Sequence, residues 1–327
     1  MRTAETDPQP SRFKGGPERR DPIPATSGLG QGGWRVLTAV VLLVGVTAVW
    51  GSTFLVIQDV TRRMSVLDFL AARFVVGALA LALVRPRAVV RLDAAGWTRG
   101  AALGLALGVA YALQAFGLHY TSATVSAFIT GLFVVFTPLL AAVVLRQRVA
   151  LATWAGLVLA VSGLGLLTLR GISLGPGELL TLGCAVCIAL QILGTSAWAT
   201  GRNPYGLAFA QALTVAVVAS AAAAVGGLNI VPPDASSWLA VLWTAGFATA
   251  AALVIQTWAQ TRISATRAAV IMTLEPVFTA VIGYLAGHGL TYRQVCGAGL
   301  VLGAMLVVEL GSTPAKRQHR PAAMPQR

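Results

Sequence analysis

The chain alternates long apolar runs with short polar segments, and the runs recur from Val36 almost to the C-terminal end. Each run approaches the roughly 20 apolar residues that cross a hydrocarbon layer as a helix rising ~1.5 Å per residue. A membrane barrel would instead show strands of ~10 residues with alternating polarity. The pattern predicts spans at 36–57, 66–84, 99–117, 122–145, 151–169, 177–199, 205–226, 238–260, 267–286 and 292–310. Residues 1–33 are polar and rich in Pro, Gly and Arg and read as a disordered arm, while 312–327 form a basic tail. The expected fold class is an all-α polytopic membrane protein with ten transmembrane helices.

Composition agrees with this pattern. Charged residues make up 11% of the chain and mean hydropathy is +0.76, against about 25% charged in soluble domains. Lys and Arg number 24 against 11 acidic residues, a surplus that raises the question of nucleic acid. Placement answers it, because nineteen of the basic residues fall in the two tails and in alternate loops. The other side of the predicted bundle holds Arg62, Arg63, Arg170 and Arg293, and Arg73 lies within the second span. Basic residues gathered on one side mark the cytoplasmic face. Both termini are therefore expected in the cytoplasm, with a lipid bilayer and no nucleic acid as partner. The first span is expected to act as an uncleaved anchor. Arg-rich composition suggests a GC-rich bacterial genome, hence a bacterial plasma membrane.

A repeat runs through the chain. Residues 113–137, LQAFGLHYTSATVSAFITGLFVVFT, align with 255–279, IQTWAQTRISATRAAVIMTLEPVFT, at ten identities in 25. These include Gln114/Gln256, two Ser-Ala-Thr triplets and two Val-Phe-Thr triplets. Each half, 34–172 and 173–311, then holds five spans. An odd number forces opposite orientations, so the halves are expected to be inverted repeats. Such repeats build many secondary transporters, with the solute site at their interface.

AVWGSTFLVIQDV (48–60), FLAARF (69–74), TSATVSAFITGLFVVFTPLLAAVVL (121–145) and SATRAAVIMTLEPVFTAVIGYL (264–285) resemble EamA-type permeases of the drug/metabolite transporter superfamily. The resemblance spans roughly 36–310. It implies a ten-span carrier or exporter of small organic solutes such as metabolites, amino acids or drugs. It departs from the family pattern at Gln58, where many relatives carry Lys, and at Arg146-Gln147 and Gly287-His288, where relatives carry Gly-Glu.

Glu275 is the sharpest site candidate. It lies eight residues past Arg267, about 12 Å into the ninth span, where an ionisable group costs on the order of 2.5–3.5 kcal/mol and by default marks function. A proton-coupling or cation-binding group competes there with a tether between helices. Pro276 removes a backbone donor beside it. The aligned positions are Phe133 and Val134, so the charged, broken step is expected in one half alone. Arg73 is expected to pair with Glu275 or an anionic solute, or else to reach the surface or pair with Asp68. Gln114, Gln191, Gln211 and Gln256 suit interhelical hydrogen bonds first and solute contact second. Trp50, Ser52 and Thr53 form a polar-aromatic cluster, with interfacial anchoring the alternative for Trp50; Tyr111 is open in the same way. The stripes Gly100/Gly104/Gly108 and Gly299/Gly303 read as packing faces, the second also as a homodimer contact.

Gly28-x-Gly30-x-x-Gly33 lacks a preceding strand and fails as a dinucleotide fingerprint. Cys184-x-x-Cys187 reads as packing rather than a metal pair. No hydrolase or zinc motif appears, so no cofactor, metal or catalytic set is expected. Against the carrier stand a lipid-linked-sugar translocating protein of the same superfamily and an intramembrane enzyme.

Overall fold

The computed structural model describes residues 31–121, 123–144, 146, 150–168, 175–201, 203–285 and 291–311. The N-terminal arm through residue 30, the basic tail, and the pairs at Gln147 and 287–288 lie outside them.

Every described element is helical. The long apolar runs become α1 (Gln31–Val60), α2 (Val66–Val84), α4 (Ala94–Gly117), α7 (Leu151–Thr168), α8 (Pro176–Ala199), α9 (Pro204–Ala224) and α14 (Tyr292–Gly311), with a short α3 (Pro86–Val90) between α2 and α4. Polar residues between the runs start the helices that follow by capping them. Ser65, Asp93, Asn203, Asp234 and Ser264 each accept a hydrogen bond from the backbone N–H three residues on, satisfying donors a helix start leaves open.

Three runs are subdivided. The fourth forms α5 (Ala123–Gly131) and α6 (Phe133–Val144), and the ninth forms α12 (Ala265–Met272) and α13 (Glu275–Leu285). The eighth runs as α10 (Ala235–Ala245), a π-helical segment (Gly246–Ala251) and α11 (Ala252–Ala259). Among the described residues, eight spans are long and apolar enough to cross a membrane, while Leu151–Leu166 and Tyr292–Val308 are apolar but shorter. In the eight, 44–56% of the most apolar window is buried inside the protein. The rest of each helix presents side chains such as Leu79, Leu83 and Val143 outward, as lipid contact requires.

The main helix pairings are α7 with α14, α2 with α9, and α4 with both α8 and α9; α1 lies along α11 and α13, and α8 along α5 and α6. Gly100, Gly104 and Gly108 form the α4–α9 contact. A Cβ on Gly104 would lie 2.6 Å from the Gln211 carbonyl oxygen, so no larger side chain fits. Gly299 and Gly303 behave otherwise: among the described residues, nothing lies within 4 Å of a Cβ added at either. The α14 stripe is therefore not a packing face of the bundle. Gly156 and Gly163 of α7 make the close approach to α14 instead.

Candidate functional site

The interruption of the ninth run is set by backbone hydrogen bonding. Leu274 N–H bonds to the Ile271 carbonyl at 3.1 Å, a three-residue closure that ends α12, and Phe278 N–H returns to Leu274 to begin α13. Pro276 is the second residue of α13, in the first turn where a missing N–H costs no intrahelical bond. Leu132 repeats this geometry 142 positions earlier. Its N–H bonds to Ile129 at 3.1 Å, and Phe136 N–H returns to Leu132. Both halves are thus broken at the same aligned Leu, although the first has Val134 where the second has Pro276. The break belongs to the shared scaffold, whereas the carboxylate and the proline are peculiar to the second half. Gly131 is the one local signal for the first break, since glycine favours helix ends.

The break places Glu275 in the first turn of α13, where the positive end of the helix dipole favours an anion. The residue keeps intermediate exposure, because it borders a cavity at the centre of the bundle. About 40 Å³ of this cavity is open to the centres of water molecules, room for a few waters. From the first half, its wall includes Trp50 and Thr53 of α1, Arg73 of α2 and Tyr111 and Gln114 of α4. From the second half come Gln191 of α8, Gln256 of α11 and Glu275. Eight of the candidates read from the sequence meet here, whereas Ser52 and Gln211 do not border the cavity. Pro276 is buried behind Glu275 and does not border the cavity.

Arg73 is 1% exposed and neither reaches a surface nor pairs with Asp68 or Glu275. Its Nε donates to Thr249 Oγ1 at 2.7 Å and its Nη2 to the Ala248 carbonyl at 3.3 Å. The guanidinium lies 4.7 Å from the Tyr111 ring centroid. Nη1 is buried without a hydrogen-bond partner. Asp68 is engaged elsewhere, accepting from Ser65 and from the Asn229 N–H. Trp50 is 9% exposed and donates its indole N–H to the same Ala248 carbonyl at 2.9 Å, so it is no interfacial anchor. Ala248 and Thr249 sit in the π segment, where Ala252 N–H reaches back five residues to Phe247. Such segments recur at functional sites; nothing local in GFATAA announces one.

The glutamines form a relay. Gln256 donates to Gln191 at 3.1 Å, Gln191 to Gln211 at 2.7 Å, and Gln211 to the Leu207 carbonyl at 3.3 Å. The repeat-related Gln114 instead donates to Thr130 at 3.3 Å. The amides therefore hold helices together, and three of them also face the cavity. Cys184 and Cys187 are free thiols on α8, the first fully buried. The cavity thus gathers a cation and a carboxylate that do not bond each other, amides, an indole and a phenol. Such a set of donors and acceptors can hold water, an ion or a single polar group.

The sequence matches the EamA-like transporter family twice, over residues 37–169 and 175–310. The chain belongs to the EamA-like transporter family. It is 32% identical over 267 residues to a protein of Archaeoglobus fulgidus named "Uncharacterized transporter", covering 81% of this chain and 83% of that one. A solved structure described as "Crystal structure of protein" shares the fold at TM-score 0.71 and 18% identity, covering 84% of this chain and 97% of that one. This EamA-like protein is accordingly a multi-pass membrane transporter of the drug/metabolite transporter superfamily, and membership points to transport rather than catalysis.

Proposed function

We propose that the protein is a secondary carrier that moves small organic solutes, such as metabolites, amino acids or drugs, outward across a bacterial plasma membrane. In this reading residues 34–172 and 173–311 are two inverted five-helix repeats, giving ten spans with both termini in the cytoplasm. The helix pairings support it: exchanging the halves converts the α4–α8 contact into the α11–α1 contact and maps α2–α9 and α7–α14 onto themselves. The solute binds in the central cavity, and alternating access exposes it to one side at a time.

One observation carries the proposal. The cavity is walled by both halves, with Gln114 and Gln256 at related positions and with Arg73 and Glu275 left unpaired to each other. Buried charges are ordinarily neutralised by partners, so these two await a solute or an ion. Glu275 takes up and releases the coupling proton.

The test is flux of a radiolabelled solute panel in proteoliposomes, with and without an imposed pH gradient, for wild type and Glu275→Gln. Gradient-driven flux in wild type and its loss in Glu275→Gln are expected. Undiminished gradient-driven flux in Glu275→Gln overturns the coupling role.

A further inference from the structure

A second cavity opens at the end of the bundle formed by the C-terminal ends of α1 and α4. It is larger, with about 380 Å³ open to water centres, and the side chains around it include Gln58, Thr61, Arg62, His119, Tyr120 and Thr121. Arg62, His119 and Tyr120 are exposed. Among the described residues, no carboxylate lines it. Glu178, behind Thr121, is already engaged by the Thr121 hydroxyl at 2.7 Å and the Gly175 N–H at 2.9 Å. Asp59 pairs with Arg63. Arg62 therefore sets the sign of the pocket, in a wall otherwise rich in hydrogen-bond donors.

This pocket is stacked on the central cavity along the same two helices. Phe54 and Gln114 border the inner cavity, and Gln58 and Leu118 border the outer one. On both helices the step is four residues, about 6 Å of rise. Phe54, Ile57 and Leu118 are 3%, 5% and 7% exposed. All three are apolar and lie within the single helical turn that separates the two polar compartments along α1 and α4. Each compartment carries one guanidinium, Arg62 outside and Arg73 with its unpartnered Nη1 inside.

We propose that the outer pocket is a second solute site on the translocation path, that Phe54, Ile57 and Leu118 are the gate, and that the solute carries a carboxylate or comparable anionic group passed between Arg62 and Arg73. This rests on the carrier reading of the central cavity. The anionic group meets guanidinium donors on both sides of the gate and crosses only the single helical turn between them. Arg suits both ends because its fork of donors matches a carboxylate and stays charged.

The experiment uses full-length protein in proteoliposomes with Cys184, Cys187 and Cys296 replaced by Ala, and with either Gln58→Cys or Thr53→Cys added. Thr53 borders the inner cavity and is 5% exposed. The probes are the anionic sulfonatoethyl and the cationic trimethylammonioethyl methanethiosulfonates, added on the side from which Gln58→Cys reacts. A unit charge about 6 Å away in water changes the local concentration of each about threefold, in opposite directions. Arg62→Gln is therefore expected to lower the anion-to-cation rate ratio at position 58 about five- to tenfold at low salt. High salt shrinks the difference.

Thr53→Cys is expected to react at least tenfold more slowly than Gln58→Cys, and Leu118→Ala to narrow that gap. Should the thiol-free chain fail to fold, the same measurements are made with the buried Cys184 restored. A ratio unmoved by Arg62→Gln overturns the anion site. Equal rates at 53 and 58 with Leu118 intact overturn the gate. Solute flux in the same vesicles separates the two levels: persistent flux with either negative labelling result removes this inference and leaves the carrier reading standing.

Discussion

Replacing Arg73 by Met separates a functional guanidinium from a structural one. The change removes the bonds to Thr249 Oγ1 at 2.7 Å and to the Ala248 carbonyl at 3.3 Å. Bonds to charged groups are worth about 1.5–3 kcal/mol each, and the longer of these sits at the low end. Stacking on Tyr111 at 4.7 Å adds about 1 kcal/mol, so the loss totals roughly 4–6 kcal/mol. On the other side, burying a cation at mid-span costs about 2.5–3.5 kcal/mol. The unpartnered Nη1 adds about 1–3 kcal/mol. Methionine refills the space with a flexible apolar chain, the Ala248 carbonyl keeps the Trp50 indole, and the Thr249 hydroxyl can turn to its own helix. The opposing terms cancel to within about 2 kcal/mol, or about 6 °C in apparent Tm. Thermal unfolding in detergent should therefore show Arg73→Met near wild type, while flux in proteoliposomes collapses. A fall of more than about 10 °C, or flux that survives, would refute the reasoning and make Arg73 a helix tether.

Gly51→Ala tests the approach of α1 to the break. Its Cβ would lie 2.8 Å from the Glu275 carbonyl oxygen and 2.9 Å from Phe278 Cβ, where Thr279 also donates to the Gly51 carbonyl. Overpacking against backbone costs about 1–3 kcal/mol, so a lower apparent Tm with reduced flux is expected; an unchanged Tm would show that α13 yields freely. Asp234 caps α10 and pairs with Arg63. The Ser236 hydroxyl, the Ser237 N–H and Arg63 hold its carboxyl down at about 2. A depressed carboxyl contributes stability above its ordinary range, near 4, and loses it as pH falls through the folded value. The Tm gap between wild type and Asp234→Ala should stay constant from pH 5 to 8 and close as pH falls from about 4 to 2. A gap that changes between pH 5 and 8 would contradict that assignment.

Much of this protein is legible along the chain. Apolar runs of spanning length, polar breaks and their caps are local properties, and hydropathy with the arginine pattern reveals them without knowledge of packing. An ionisable or amide side chain within a span must turn inward, because lipid offers it no partner. That is why Glu275, Arg73, Gln114, Gln191 and Gln256 could be named from sequence and are found around one cavity. The partners are another matter. Arg73 meets Ala248 and Thr249, some 175 residues away, because α2 packs on the π segment, and neither helix encodes that choice by itself. The break at Leu132 is nearly as hidden: in FITGLFVVF only Gly131 hints at a helix end, and the fold imposes there the interruption that proline accompanies in the other half. Gly299/Gly303 and Gly156/Gly163 look alike as small-residue stripes, yet only the second pair receives a neighbour. Sequence by itself determined which segments span and which side chains must face inward, because solvation acts residue by residue. Tertiary structure decided what those side chains face, because close approach depends on both surfaces at once.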